Sequence, residues 1–392
     1  MTAWTFHSAG SIVFGRGALS QLPTILARQS SRRVFLIADD VLTSVGIVNT
    51  VTALLTDFTV ETFTAITPEP PEETVFAAIA AAKQFQPDVI IGLGGGSNMD
   101  AAKLVAICHM HGGKPSDFAG DCRVPGPITP LICIPTTAGT GSEVSAAAVF
   151  TDAANKMKIS CLSPYIRPMV AIVDPSLTDN CPAKVTADSG IDALTHAIEA
   201  YTAVGHSEFV TRPPGGETVY QGKNPIADAM AERCIRLVGE HLKNVVLEPH
   251  NLAARDGMAL AATLGGLAFA NAGVALVHAM EYPVGGAVHV SHGAGNGLLL
   301  PYVMKFNAEV RGDAMSDIGK FLGVRRDAET AIEFIEQLRK DIGIPTRLRD
   351  LGVTTDQLPG FADKAFAIKR LMRVSPRMPS RDDILAIYQA AF

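Results

Sequence analysis

The hydrophobic positions of this chain change their period roughly halfway along. Four short runs rich in Val and Ile stand in the first part: "RRVFLIAD" (Arg32 to Asp39), "VIIGLG" (Val89 to Gly94), "PLICIPT" (Pro130 to Thr136) and "PMVAIVD" (Pro168 to Asp174). Stretches with helical spacing, such as Pro71 to Phe85, lie between several of them. Buried strands alternating with helices predict a parallel sheet covered on both faces. After "DPSLTDNCPAKVTADSG" the segments "IDALTHAIEAYTA", "PIADAMAERCIRLVGEHLKNVV", "NLAARDGMALAATLGGLAFANAG" and "AETAIEFIEQLRKDIG" are helical in period, and strand patterns disappear. The expectation is an α/β domain over residues 1–185 and an all-α domain over residues 186–392. Leu252 to Ala272 is apolar along its whole length and rich in Ala and Gly, which predicts a closely packed core helix. The turn-rich stretch from Val204 to Pro225 is long enough to suspect a function such as a lid.

Composition narrows the function classes. A chain of 392 residues with 47% hydrophobic residues can bury a large core. Its 33 Lys and Arg against 39 Asp and Glu give a net charge of -6, and no basic run is present. That excludes an electrostatic footprint for nucleic acid or an anionic membrane. Apolar runs are too short for a membrane span of roughly 20 residues. The N-terminal "MTAWTFHSAGSIVFGRGALSQL" lacks a basic start followed by an apolar stretch, so the expected location is the cytoplasm. The six cysteines are scattered without a C-x-x-C and read as buried free thiols.

The chemistry concentrates in a few segments. In "DVIIGLGGGSNMDAAKLVAI" (Asp88 to Ile107) a buried strand runs into the contiguous Gly94, Gly95 and Gly96, and a helix then opens on Ser97 and Asn98. The spacing is not the dinucleotide fingerprint G-x-G-x-x-G. The loop reads either as an anion or nucleotide cradle at a helix start or as a tight strand–helix turn. "IPTTAGTGSEVS" (Ile134 to Ser145) also follows a buried strand and packs hydroxyls with glycines. Two such loops on one sheet suit the two phosphates of a dinucleotide. Asp39 ends the strand "VFLIAD", where a carboxylate accepts from ribose hydroxyls and repels a 2′-phosphate, favouring NAD over NADP; a capping role fits the same position. Asp192 and His196 lie four residues apart, hence on one helical face. "VHAMEYPVGGAVHVSHGAGNG" adds His278, His289 and His292. One carboxylate with several imidazoles suits Fe²⁺ or Zn²⁺ and argues against a thiolate site.

In this order, "GGGSNMDAAK", "PTTAGTGSEVS", "DALTHAIEAY" and "HAMEYPVGG…HG" resemble the iron-containing (group III) alcohol dehydrogenases, with "SIVFGRGAL" and "AIVDPSLT" extending the match over essentially the whole chain. The resemblance implies a dinucleotide-binding α/β domain, a helical domain, and a cleft between them for NAD and one divalent metal, Fe²⁺ before Zn²⁺. It implies Asp192, His196, His278 and His292 as metal ligands, leaving out His289. Gly95, Gly96, Ser97 and Asp100 match the pyrophosphate loop, and Thr136, Thr137 and Thr140 match the second nucleotide loop. Asp39 falls where the family discriminates NAD from NADP.

One position departs from the commoner pattern. Many members carry a second His four residues after the third ligand, often assigned to proton relay, and here that position is Tyr282. "HAMEYPVGG" and "TRPPGGETVYQGKNPIAD" look like the hydroxyacid–oxoacid transhydrogenase branch, which interconverts 4-hydroxybutyrate and succinate semialdehyde using 2-oxoglutarate; that branch's mitochondrial leader is not seen. The function implied is metal-dependent hydride transfer between a small alcohol or hydroxy acid and NAD, with the transhydrogenase as the alternative. A dehydroquinate synthase-like lyase or a glycerol-1-phosphate dehydrogenase shares the architecture but fits "DALTHAIEAY" less well. Expected partners are a small-molecule alcohol or aldehyde and, in assembly, further copies of the chain, with no nucleic acid and no membrane. Arg212 and Lys223 flank the Val204 to Pro225 stretch, where they would meet a substrate carboxylate or be solvated.

Overall fold

A computed structural model describes residues 3–152 and 157–392. The strands are β1 (Ser11–Phe14), β2 (Arg33–Ile37), β3 (Thr59–Phe63), β4 (Val89–Gly94), β5 (Gly120–Asp121), β6 (Leu131–Pro135), β7 (Ala147–Asp152), β8 (Met157–Leu162) and β9 (Val170–Val173). Six of them form a sheet in the order β1-β9-β6-β4-β2-β3, with every pairing parallel. The four apolar runs of the sequence are its inner strands, and β4 and β6 are buried at every position, as a sheet covered on both faces requires. The chain runs outward from β2 to β3 and then returns to β4 on the other side of β2. Open α/β sheets hold ligands at such a switch point, beyond the carboxyl ends of the strands.

A second sheet, β5-β8-β7, was not anticipated from the sequence. β7 and β8 pair antiparallel, and β7 packs over the helix Gly96–His111, whose other side lies on β4 and β6. That double cover explains why this helix is buried from Asn98 to Cys108 at every position but Asp100.

Beyond β9 the regular elements among the described residues are all helices, apart from one isolated bridge, Gly205 with Lys223. The helix Ala183–Thr202 is the hub: Pro225–Leu247, Leu252–Ala272 and His292–Phe321 all pack on it. Leu252–Ala272 is buried as its composition predicts, and it reaches back to the strand half of the chain. A Cβ on Gly266 would lie 2.7 Å from Gly141 Cα, so the two backbones touch. Among the described residues, no single helix is long and apolar enough to cross a membrane.

The N-terminus of His292–Phe321 makes a similarly close approach to the hub helix. A Cβ on Gly293 would stand 1.9 Å from the Asp188 carbonyl oxygen and 3.1 Å from Asp192 Cβ. Only glycine lets His292 come this close to Asp192. Gly293→Ala is therefore expected to cost about 1–3 kcal/mol by overpacking, whereas Gly360→Ala, in a helix with nothing within 4 Å of the new methyl, should be neutral or slightly stabilising. Calorimetric melting of the two variants checks this; equal melting temperatures would remove the close-approach argument.

Candidate metal centre and nucleotide cleft

Asp192 and His196 sit one turn apart in the middle of the hub helix, 2% and 4% exposed. His278 lies in the first turn of Leu276–Val288 and His292 opens His292–Phe321. Oxygen and nitrogen atoms of Asp192, His278 and His292 all lie within 4.8 Å of one another. Asp192 Oδ1 is 3.9 Å from His278 Nε2 and 4.0 Å from His292 Nε2, and Asp192 Oδ2 is 3.8 Å from His196 Nε2. Two donors on bonds of about 2.1 Å to one ion can stand at most about 4.2 Å apart, so these separations are compatible with a shared cation. His196 flanks the trio: its ring stacks between Phe269, at 4.2 Å, and His278, at 4.8 Å. The exposed His289 instead ends the preceding helix in a left-handed turn with φ 54°, away from the group.

Each of the two later imidazoles is oriented by a buried carboxylate that sequence reasoning missed. Glu199 accepts from His278 Nδ1 at 2.6 Å and from the backbone N–H groups of Ala275 at 2.8 Å and Val277 at 2.6 Å. It thus aims the ring and caps the start of its helix at once. Glu281 pairs with His292 Nδ1 and with Lys158 Nζ, which reaches from β8 and also meets Glu69 at 2.8 Å. With Nδ1 committed, the Nε2 lone pairs of both rings face the Asp192 carboxylate. Metal-ligating histidines are commonly held by carboxylates in this way. Both glutamates were within reach of the sequence, each three residues after a histidine and so on the same helical face.

The protonation states of Asp192 and His196 suit a cation, whereas His292 has to release a proton to ligate one. Burial opposes ionisation of Asp192, but the three imidazoles outweigh it and bring its pKa down to about 2. Burial lowers His196 to about 3, which keeps that ring neutral at ordinary pH. For His292 burial also works against the charged form, yet Glu281 and Asp192 outweigh it and the pKa is raised. Asn296 Nδ2 donates to Asp192 Oδ1 at 2.8 Å and lies 3.2 Å from Nε2 of both His278 and His292, while its own Oδ1 is buried without a partner. His196 Nδ1 is likewise buried and unpartnered. An ionised carboxylate ringed by imidazole acceptors, with orphaned polar atoms beside it, is the donor set a divalent cation completes. No cysteine joins the group among the described residues, and burial pushes the Cys108, Cys133 and Cys161 thiols up to about 12.

The nucleotide loops meet because their strands are neighbours. Gly94 at the end of β4 pairs with Pro135 at the end of β6, so the loops that follow emerge side by side. A Cβ on Gly96 would lie 2.9 Å from Thr140 Cγ2. Gly95 starts the helix Gly96–His111 with no side-chain cap, leaving the first-turn N–H groups available to an anion. Asp100 ties the loops together: it accepts from Ser142 Oγ at 2.6 Å and from Val149 N at 2.9 Å. Lys103, fully buried, donates to Ser142 Oγ, Ser145 Oγ and the Ala147 carbonyl. Ser97 Oγ accepts from Glu69 N at 3.0 Å.

One cleft joins both sets of residues. Its walls include Gly96, Ser97, Asp100 and Thr140 on one side and Asp192, His196, His278, Tyr282 and His292 on the other. Asp39, Gly95, Thr136 and Thr137 do not line it. Asp39 caps the short helix after β2, accepting from Leu42 N at 2.8 Å, and its other oxygen accepts from Asn98 Nδ2 at 2.7 Å. The capping role is therefore realised, at the same carboxyl edge as the glycine loop. Tyr282 is 6% exposed, and burial raises its phenol above the usual value. Arg212 and Lys223 are spent elsewhere, on Glu208 with the Ser375 carbonyl and on Asp228 with the Tyr201 carbonyl, and neither reaches the cleft. From the stretch between helices only Tyr220 lines it.

Comparison with known proteins matches residues 9–175 to the iron-containing alcohol dehydrogenase family and residues 218–392 to the C-terminal part of the Fe-containing alcohol dehydrogenase family. The long-chain-alcohol dehydrogenase 1 of Geobacillus thermodenitrificans is 38% identical, over 96% of this chain and 94% of its own length. The NAD-dependent methanol dehydrogenase of Bacillus methanolicus is 33% identical, over 97% of each chain. The crystal structure of a 1,3-propanediol oxidoreductase superposes over 100% of both chains with a TM-score of 0.92 at 33% identity.

If Glu199 and Glu281 hold the imidazoles in register, Glu199→Gln and Glu281→Gln should each weaken divalent-cation binding about 10–100-fold. Competition against a chromophoric chelator measures this, with melting curves to show that the variants remain folded. Unchanged affinity in both would contradict the orienting role.

Proposed function

Because the chain belongs to the iron-containing alcohol dehydrogenase family, we propose that Asp192, His196, His278 and His292 hold the divalent cation with which it interconverts alcohols and aldehydes. The chain is a metal-dependent oxidoreductase of this type, with NAD as the coenzyme of its relatives' chemistry. Fe²⁺ is the ion we assign, from the family and the oxygen–nitrogen donor set. The observation that carries the reading is the convergence of Asp192, His278 and His292 on the wall of a cleft that also contains the uncapped helix start at Gly96 and Ser97. We place a division between two domains near residue 185, a reading supported by the last strand ending at Val173 and the hub helix beginning at Ala183.

When bound, the cation supplies Lewis acidity that lowers the pKa of an alcohol, and the nicotinamide supplies the hydride acceptor. The chain's own residues do the rest. Asp192 contributes the negative charge, and Glu199 and Glu281 keep the Nε2 atoms of His278 and His292 aimed at it. Phe150, Leu162, Phe269 and Val274 form apolar walls that exclude water. The N–H groups at Gly96 and Ser97 receive the coenzyme's pyrophosphate, with Thr140 against them from the second loop. Tyr282 stays protonated at neutral pH, because burial raises an already high pKa. It therefore donates a hydrogen bond into the cleft and does not take up the substrate's proton. The transhydrogenase alternative shares this half-reaction; its second half, reoxidation of bound NADH by a 2-oxo acid, needs a place for a carboxylate, taken up below.

Two outcomes test this reading. His278→Ala should lower turnover of any alcohol substrate by at least about a thousandfold with little change in NADH affinity measured by fluorescence, and wild-type protein stripped by a chelator should behave alike and recover with Fe²⁺. Full activity in the metal-stripped protein would sink the metal assignment. Asp39→Gly should raise the NADP-to-NAD ratio of kcat/KM by about tenfold or more through lost repulsion of the 2′-phosphate; glycine at a helix N-cap costs only a few tenths of a kcal/mol. A wild type that already prefers NADP would overturn the role of Asp39.

A further inference from the structure

The cleft contains two cationic side chains, and only one of them is held in ion pairs. Lys158 is held between Glu69, at 2.8 Å, and Glu281, at 3.1 Å. Arg370, from the short helix Lys369–Val374, enters the same cleft. It donates to Ser160 Oγ and lies beside the Tyr282 hydroxyl, with Tyr220 also near it. Among the described residues Arg370 forms no ion pair, whereas Lys158 across the cleft forms two. A guanidinium does not deprotonate, and a half-buried one with no bonded counter-charge is costly. Its bonded neighbours are neutral hydroxyl groups, with the Asp121 carboxylate acting on it from farther off, on a wall that otherwise carries Phe150, Leu162 and Phe269. Tyr282 connects it to the metal centre, its ring centroid 6.0 Å from that of His292. A planar fork of donors on the cleft wall matches a planar anion with two oxygens.

We propose that Arg370 is the residue that selects substrates carrying a terminal anionic oxoacid group, a carboxylate or a sulfonate, on a short chain whose alcohol or aldehyde end lies at Asp192 and the three histidines. This rests on the reading of the cleft as the alcohol-oxidising site. Tyr282 and Ser160 supply neutral hydroxyls beside the anion, and Lys158 takes no part because Glu69 and Glu281 occupy it. The oxidation itself is unchanged: the carbinol carbon gives up a hydride to NAD⁺ and its hydroxyl a proton to solvent, while the anionic end stays intact.

The test uses the Fe²⁺-loaded holoenzyme and has two arms. In the turnover arm, ω-hydroxy carboxylates, hydroxyalkyl sulfonates and α,ω-diols of matched length are compared for wild type, Arg370→Met and Arg370→Lys. The kcat/KM ratio of acid to diol should favour the acid in wild type and fall at least about 30-fold in Arg370→Met, mainly through KM, with partial rescue by lysine. The ranking of carboxylate against sulfonate identifies the anion. In the binding arm, calorimetry on the NADH complex compares butyrate, propanesulfonate and butyramide, so no turnover is needed. An anion should bind, the amide should not, and Arg370→Met should abolish the difference. Oxidation of diols with no preference for acids and no Arg370-dependent anion binding overturns the proposal and leaves the functional reading standing. Arg370-dependent anion binding in a protein that oxidises no alcohol does the reverse. Should Arg370→Met fail to fold, the wild-type comparison of butyrate with butyramide decides alone, equal binding being the contradicting result.

Discussion

A carboxylate that is 2% exposed and still ionised is the constraint around which the helical half is built. Asp192 has no lysine or arginine bonded to it among the described residues; its neighbours are three imidazoles and the Asn296 amide. Burying such a charge costs several kcal/mol unless a counter-charge is supplied. Everything close to it serves that need. The hub helix is packed on all sides, Gly293 lets His292 approach, and Phe269 stacks on His196. Glu199 and Glu281 add two more buried carboxylates behind the rings, so the pocket as a whole favours a cation at its centre.

The nucleotide side is held by a different kind of constraint. Parallel pairing of β4 with β6 brings Gly94 level with Pro135, and the two loops then have to pack against each other. Asp100, Ser142, Lys103 and Ser145 lock them with buried hydrogen bonds. Contact between Gly141 and Gly266 fastens the second loop to the helix that also carries Phe269. The phosphate cradle and the imidazole cluster are thus spaced by direct backbone contact across the two halves, which is what hydride transfer over a fixed distance requires.

The inner strands, the buried helices and the order of the motifs were legible because each is a local pattern. The β7–β8 hairpin was not, although Lys158 and Ser160 alternate with Ile159 and Cys161. Alternation normally signals a polar face turned to water, whereas here the polar face lines the cleft and Ile159 packs on the core. Glu199 and Glu281 follow the helical face rule from His196 and His278 and were readable in retrospect. Arg370 was not, since nothing near it in the chain indicates that the last short helix returns to the cleft. Arg212 and Lys223, left open in the sequence between a substrate carboxylate and solvent, are instead satisfied locally by Glu208 and Asp228.

X-ray absorption at the metal edge tests the central claim most directly, because it reads the donor set without depending on turnover. The Fe²⁺-loaded protein should show one site with oxygen and nitrogen neighbours at roughly 2.0–2.2 Å and the outer-shell scattering of three imidazoles, reduced to two in His196→Ala. A sulfur neighbour, or an imidazole signal that does not change in His196→Ala, would contradict the assignment of Asp192, His196, His278 and His292 as the ligands.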